Sequence, residues 1–585
     1  MSESVFEFGD DDLLGRVQYV DTTSVVIRAL SLETLRKMQV NRFVALDSNR
    51  PGEKLIGLVQ RVTRSPIETK ASLDSGDSEA PLQHFEENLV RAALIGTLAT
   101  SGGLQKAGFT RSIDCVPEID AECWPIEAKN LSRFMTIVGG LQEGEAGPRV
   151  SLGRYAIDDS AHAFVNGDKL FQRHLAIVGS TGSGKSFTTA ALLEQAANLP
   201  NVSSIVFDIH GEYGQLRAPG FEQIRIAGPA DVKAKTGIKD KVLHLPFWLL
   251  GYEAVVSLFV DRSDQNAPNQ SMVFTRTIRE LKRECLLAKG QKELADEFTI
   301  DSPIPYNVYT LIEKLNKLDS ERVEGKTASG KAGEYNGKLT RAIARLEAKV
   351  TDRRLAFLFQ PPDAAMELDW LGLMINLVMQ GRAKRPSEKG GVQIIDFSEV
   401  PSDVLPLMVS LVSSIVFSVQ QWTAPEKRHP VTLFCDEAHL YLPESAGTTA
   451  DQVSVGIFER IAKEGRKYGV SLAVISQRPS EVNRTILSQC ANLISMRLTN
   501  ADDQSVIKRL LPDNLGGIAE LLPVLNVGEA LVVGDASILP SRIKMAMPTL
   551  KPTSATIDFW SKWSDKKLEP TPSEAVEAWR KQSLG

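Results

Sequence analysis

The stretch "LAIVGSTGSGKSFTTAALL" (175–193) sets four apolar residues ahead of a glycine-rich turn, a lysine and a helical pattern. Within it, "GSTGSGKS" (179–186) matches the phosphate-loop spacing G-x-x-x-x-G-K-[ST]. It also stands where such a loop works, directly after a strand and opening a helix. Gly179, Gly182 and Gly184 let the backbone curl so that successive N–H groups face phosphate oxygens. The helix that follows adds partial positive charge at the same spot. The nucleotide-binding run is therefore Gly179, Ser180, Thr181, Gly182, Ser183, Gly184, Lys185, Ser186 and Phe187. Lys185 is placed for the β- and γ-phosphates of ATP, and the Ser186 hydroxyl for Mg²⁺.

A phosphate loop needs an acidic partner strand to hydrolyse what it binds. "VTLFCDEAH" (431–439) supplies one. Asp436 at its end can hold Mg²⁺ through water, and Glu437 can orient or deprotonate the attacking water. On the residues alone the pair could instead cap a helix. "VSLAVISQRPS" (470–480) is a third apolar strand with a polar end, where Gln477 is either a γ-phosphate sensor or part of a turn. The order of loop, acid pair and polar strand end is that of RecA-like motor ATPases. "IAKEGRKYGV" (461–470) precedes that last strand. Its Arg466 is either a solvated helix face or a group that reaches the γ-phosphate of a neighbouring subunit.

Around this core the chain divides by pattern. Residues 1–145 hold short β-branched runs, expected as a small N-terminal β-barrel or sandwich, with a polar loop at 68–83. "EGEAGPRVSLG" (143–153) reads as a linker. Apolar strands alternating with helices then predict an α/β fold, a P-loop NTPase core with a parallel sheet covered on both faces, over 150–261 and 366–545. A helical insertion is expected at 262–365 and an extended tail, with Trp560, Trp563 and Trp579 packed down, at 546–585.

Composition narrows the setting. A net charge of −6 gives no general attraction to nucleic acid, so DNA binding would need a local basic surface. The longest apolar run, 404–419, contains Pro406 and reads as a buried helix, so no membrane partner is expected. The acidic N-terminus lacks the pattern of a signal peptide, and the five cysteines form no CxxC pair. Both point to a cytoplasmic protein with reduced thiols.

These segments, with "FDIHGEY" (207–213), "LPFWLLGYE" (245–253), "IIDFSEVPSDVLPLMVSLV" (394–412), "DEAHLYLP" (436–443), "LSQCANLISMRLTNADDQ" (487–504) and "GEALVVG" (528–534), resemble the HerA group of the HerA/FtsK ATPases in collinear order. The resemblance implies a homo-hexameric ring with ATP sites between subunits and double-stranded DNA in the central channel. It implies Arg466 as a trans-acting finger, Gln477 as sensor, and Arg173, just before the phosphate-loop strand, as a further nucleotide contact. It places Asp208, His210 and Glu212 at the site or at a subunit contact, although Ile209 stands where a proline is frequent. It also implies a separate effector, a nuclease or NAD-consuming enzyme, docked on the N-terminal barrel, in DNA end processing or anti-phage defence. A conjugation-type export motor would share the core. A nucleotide-controlled scaffold that regulates its effector without moving DNA would share every site residue.

Overall fold

The computed structural model describes residues 5–68, 84–99, 107–139, 148–261, 263–323, 331–379, 391–511, 513–537, 539–553, 559–564 and 572–581. The chain divides into two compact units, residues 1–170 with 525–546, and residues 171–524 with 547–585.

In the first unit six antiparallel strands close on themselves. They run in the order Ser24–Ala29, Gly15–Val20, Glu122–Pro125, Phe43–Asp47, Glu53–Glu68, His84–Ala99, and the last returns to pair with the first. This is the barrel alternative of the sequence reading. Its interior is Leu14, Val17, Val25, Ile27, Leu46, Leu55, Val59, Val90 and Cys123, contributed by alternate positions of the strands. Closure leaves fewer unpaired strand edges than a sandwich of the same length. The unit also holds the hairpins Arg149–Tyr155 with Asp158–Asn166 and Glu529–Gly534 with Ser541–Met545. Residues 149–166 and 525–546 thus segregate with the barrel unit, where the sequence pattern assigns them to the ATPase core. The second half of the expected linker is strand, because "RVSLGRY" alternates and pairs along Asp158–Asn166. Residues 143–147 and 69–83 lie outside the described residues.

The second unit is built on eight parallel strands: β1 (Leu175–Val178), β2 (Ser203–Asp208), β3 (Phe221–Ile226), β4 (Val242–Leu243), β5 (Gly391–Asp396), β6 (Val431–Cys435), β7 (Val470–Ser476) and β8 (Asn492–Met496). Their order across the sheet is β4-β3-β5-β2-β6-β7-β1-β8. Every residue of β1, β2, β6 and β7 is buried, as a parallel sheet covered on both faces requires. Three helices matter for the site: α1 (Lys185–Ala197), α2 (Leu405–Trp422) and α3 (Thr449–Tyr468). By length and composition α2 could cross a membrane, yet 67% of it is buried inside the protein.

Between β4 and β5 lies the helical insertion, with Ala267–Ala288, Val308–Ser320 and Thr340–Val350 as its main helices. Ala267–Ala288 buries Val273, Phe274, Thr277, Ile278 and Leu281, the spacing of one helical face. Phe247 joins the insertion to the sheet by packing on Phe259, Tyr306 and Phe359. Residues 324–330 of the insertion lie outside the described residues. The tail differs from expectation. It forms the short helices Phe559–Ser564 and Pro572–Lys581, and Trp560 and Trp563 are 80% and 74% exposed. A six-residue helix offers too little apolar face to bury two indoles against its own chain.

Candidate active site

Parallel sheets collect their functional loops at the carboxyl ends of the strands. Here the ends of β1, β2, β5, β6 and β7 present Gly179, Asp208, Asp396, Asp436 and Gln477 along one edge. Registration makes this concrete, since Val178 pairs with Ser476 and Asp208 with Asp396.

The phosphate loop is built on its glycines. Gly182 and Gly184 sit at φ 72° and 112°, in the left-handed region that side chains disfavour. A Cβ on Gly179 would lie 2.5 Å from Ser183 Oγ and 2.8 Å from Met496 Cβ. The loop is anchored behind by Ser180 N–H on the Arg497 carbonyl (2.8 Å) and by Gly179 N–H on that of Ser476 (3.3 Å). Lys185 is 6% exposed, and its ammonium donates to the Ser180 carbonyl at 3.2 Å. Burial pushes its pKa down, while Glu437, Asp436 and Glu212 pull it back up.

The acids close the other side. Asp436 and Glu437 are 3% and 5% exposed. Burial raises the Asp436 carboxyl well above the usual range, and Glu437, Glu212 and Asp208 add to the rise. Glu437 adopts φ 44°, ψ 45°, a left-handed conformation that costs a non-glycine residue on the order of 1 kcal/mol. That turn carries the side chain toward Gln477. Gln477 Nε2 donates to Glu437 Oε1, and Thr181 Oγ1 donates to Gln477 Oε1. The Gln477 amide thus connects the phosphate loop to the acid.

Of the three residues placed at the site by resemblance, two meet it. Asp208 accepts the backbone N–H groups of Glu212 and Tyr213, each at 2.9 Å. Burial, with the charge of Asp396 beside it, pushes its carboxyl up to about 7 against those two bonds. Glu212 Oε2 accepts the Ser186 hydroxyl at 2.6 Å. His210 is exposed. Sequence reasoning missed His439, whose Nδ1 is 3.3 Å from Glu437 Oε2 and 3.4 Å from Ser476 Oγ. It also missed Asp396. The signal for Asp396 was present, because Asp208 and Asp396 each end an apolar strand.

Arg173 and Arg466 lie elsewhere. Arg173 precedes β1 and Arg466 ends α3, so both stand at the amino edge of the sheet. At about 3.3 Å per residue, the four residues of β1 and the seven of β7 put about 13 Å and about 23 Å of strand between these ends and the loops at the carboxyl edge. The expectation of Arg173 as a nucleotide contact is therefore not met within its own chain. Arg466 is exposed, and its guanidinium has no hydrogen bond or ion pair among the described residues.

The chemistry of this site suits a magnesium nucleotide. Asp436 Oδ2, Glu437 Oε2 and Ser183 Oγ are buried without hydrogen-bond partners, and such orphaned atoms call for a ligand or water. Three carboxylates, Glu437, Asp436 and Glu212, act on the Lys185 ammonium, a balance that a divalent cation would correct.

Residues 150–416 match the family described as "Helicase HerA, central domain". A probable helicase of Methanocaldococcus jannaschii is 26% identical over 400 residues, 68% of this chain and 66% of its own length, just under two thirds. The DNA double-strand break repair helicase HerA of Saccharolobus solfataricus is 26% identical over 404 residues, 68% of this chain and 69% of the relative. Among solved structures, VirB4 of Thermoanaerobacter pseudethanolicus aligns at a TM-score of 0.44 with 18% identity, covering 69% of this chain and 97% of that one. The plasmid coupling protein TrwB in complex with ADP and Mg²⁺ aligns at 0.43 with 14% identity, covering 73% and 94%.

Proposed function

We propose that the chain is the subunit of a ring-forming ATPase that translocates on double-stranded DNA together with a separate effector. The observation that carries the reading is the division of the machinery between the two edges of one sheet. Loop, acids and sensor occupy the carboxyl edge, and the unpartnered Arg466 the amino edge. An arginine so placed cannot serve its own loop, but it can serve a neighbour's. A closed ring, such as a hexamer, provides that neighbour for every subunit. The similarity of residues 150–416 to the HerA central domain supports the choice of DNA as the moved object.

In this reading the 179–187 backbone cradles the phosphates of ATP and Lys185 neutralises their charge. Ser186, and Asp436 through water, would hold Mg²⁺, which supplies Lewis-acid stabilisation of the transferring phosphoryl oxygens. Glu437 takes the proton of the attacking water, positioned by Gln477 on Oε1. Arg466 of one subunit stabilises the charge that develops at the next, so hydrolysis depends on assembly. DNA would be gripped by its backbone in the channel, without sequence readout. The N-terminal barrel is the docking surface for the effector, a nuclease or an NAD-consuming enzyme, in end processing or phage defence. The five free cysteines suit the cytoplasm, where we place the protein.

ATP turnover measured as blunt duplex DNA is titrated in, at fixed low salt, tests this. Stimulation by duplex, abolished by Glu437→Gln, is the expected result. A flat response would overturn translocation and leave a nucleotide-controlled scaffold for the effector.

A further inference from the structure

We propose that His174 is a positioning residue for Arg466, holding the last turn of α3 against the start of the strand that carries the phosphate loop. The inference rests on the trans-acting role of Arg466 proposed above.

His174 stands immediately before β1, is 4% exposed, and adopts φ 55°. Both ring nitrogens are committed to backbone groups of other elements. Leu472 N–H of β7 donates to Nδ1 at 2.9 Å, so Nδ1 carries the lone pair. The proton is therefore on Nε2, which donates to the Ala462 carbonyl of α3 at 3.0 Å. Only the neutral imidazole in this one tautomer satisfies both partners, and burial holds its pKa below the ordinary histidine value.

The choice of acceptor is what links His174 to Arg466. In an α-helix the carbonyl of residue 462 also receives the amide N–H of residue 466. His174 thus shares the oxygen that fixes the turn on which Arg466 sits. Two glycines make that turn close and short. A Cβ on Gly465 would lie 2.5 Å from the Val470 carbonyl, and Gly469 ends the helix at φ 74°. On its other side, the His174 carbonyl accepts from the backbone N–H of Asn492 at 3.3 Å. One residue therefore joins β1, α3, β7 and β8, which carry the phosphate loop, Arg466, Gln477 and the strand behind Met496. A hydrophobic residue of similar size would fill the space but leave Leu472 N–H and the direction of the α3 end unspecified.

Two substitutions separate the two bonds. Gln places an amide near Nε2 and keeps a donor for Ala462, whereas Asn places an oxygen near Nδ1 and keeps only the acceptor for Leu472. Both variants and Arg466→Ala are assayed as the full chain for thermal midpoint, ATP affinity, kcat and KM. The expected result is a loss of at least tenfold in kcat for His174→Asn with ATP affinity retained, approaching the Arg466→Ala value. His174→Gln should recover most of the rate at a similar thermal midpoint. Equal losses in the two variants, losses confined to stability or KM, or failure of both to fold would give His174 a purely structural role and overturn the inference. Wild-type turnover in His174→Asn beside an inactive Arg466→Ala would overturn this inference alone. Wild-type turnover in Arg466→Ala would overturn the trans reading, and this one with it.

Discussion

Gln477 donates its amide to Oε1 of Glu437 while Oε2 of the same carboxylate, buried, has no hydrogen-bond partner. One oxygen is held by the amide and the other, 3.3 Å from His439 Nδ1, is the one placed to take a proton. Glu437→Gln should therefore bind ATP with near-normal affinity and lose turnover by about 10²–10⁴-fold. Gln477→Ala should lose less, about tenfold to a hundredfold, because the base survives without its guide. Steady-state turnover beside equilibrium binding of a fluorescent nucleotide separates the two. Wild-type turnover in Glu437→Gln would remove it from the catalytic role.

Glu212 contacts the hydroxyl assigned to the metal, through the 2.6 Å bond from Ser186. Its charge also bears on Lys185 and Asp436. Glu212→Gln keeps an acceptor and removes the charge, so the concentration of Mg²⁺ that supports half-maximal turnover should rise several-fold with kcat little changed. A magnesium titration at saturating ATP reads this directly. An unchanged midpoint would confine Glu212 to holding the loop.

The topology of the sheet separates Arg466 from its own phosphate loop, and this makes an assembly experiment decisive. Arg466→Ala should fold and bind ATP but hydrolyse poorly. Lys185→Ala should fold and fail to bind. In mixtures, some interfaces would pair an intact loop with an intact arginine, and turnover should exceed the sum of the two separate preparations. Simple additivity at every ratio would argue against action between subunits.

How far the sequence could be read depended on the range of the signal. The phosphate loop, the acid pair and the polar end of β7 are local patterns, each fixed by a strand of apolar residues ending in a group that must be polar. They fall on one edge because parallel strands all end there. The barrel was visible as β-branched runs, but whether it closed depended on the pairing of residues 24–28 with 89–93, a distant register that no local pattern encodes. The same limit hid His439 and the role of His174, because a lone histidine reads alike whether it packs or orients. Arg173 differs for another reason. The resemblance to the family implied it as a nucleotide contact, yet within its own chain the residue lies at the strand's opposite end, a placement that the motif alone does not reveal. The tail misled through composition, since its tryptophans suggested burial and two are the most exposed of the described aromatic side chains apart from Trp422.

Gly179 offers a steric test of the loop. Alanine there would meet both Ser183 Oγ and Met496 Cβ at contact distances below 3.0 Å. Removing the hydroxyl relieves only the first contact. Gly179→Ala should lower stability by about 1–3 kcal/mol and weaken nucleotide binding, and Ser183→Ala added to it should restore little. Chemical denaturation of the single and double variants checks this. Full rescue by Ser183→Ala would show that Met496 yields freely.

The last expectation concerns pH. Burial holds the folded pKa of His174 below its ordinary value of 6.5. Between the two values the unfolded chain binds a proton that the folded chain does not, so stability rises with pH there. The contribution is fully present above about 6.5 and is lost as pH falls through the depressed folded value. His244 and His439 are shifted in the same direction by burial, so the wild-type curve alone does not isolate His174. The difference between wild type and His174→Gln does, because glutamine does not titrate. Wild type should lose its stability advantage over His174→Gln as the buffer is taken from pH 7.5 toward pH 5, about 1.4 kcal/mol for each pH unit of the window crossed. Parallel curves across that range would mean that His174 accepts a proton in the folded state as readily as in the unfolded one. That result would be incompatible with an imidazole whose Nδ1 is occupied by the Leu472 amide.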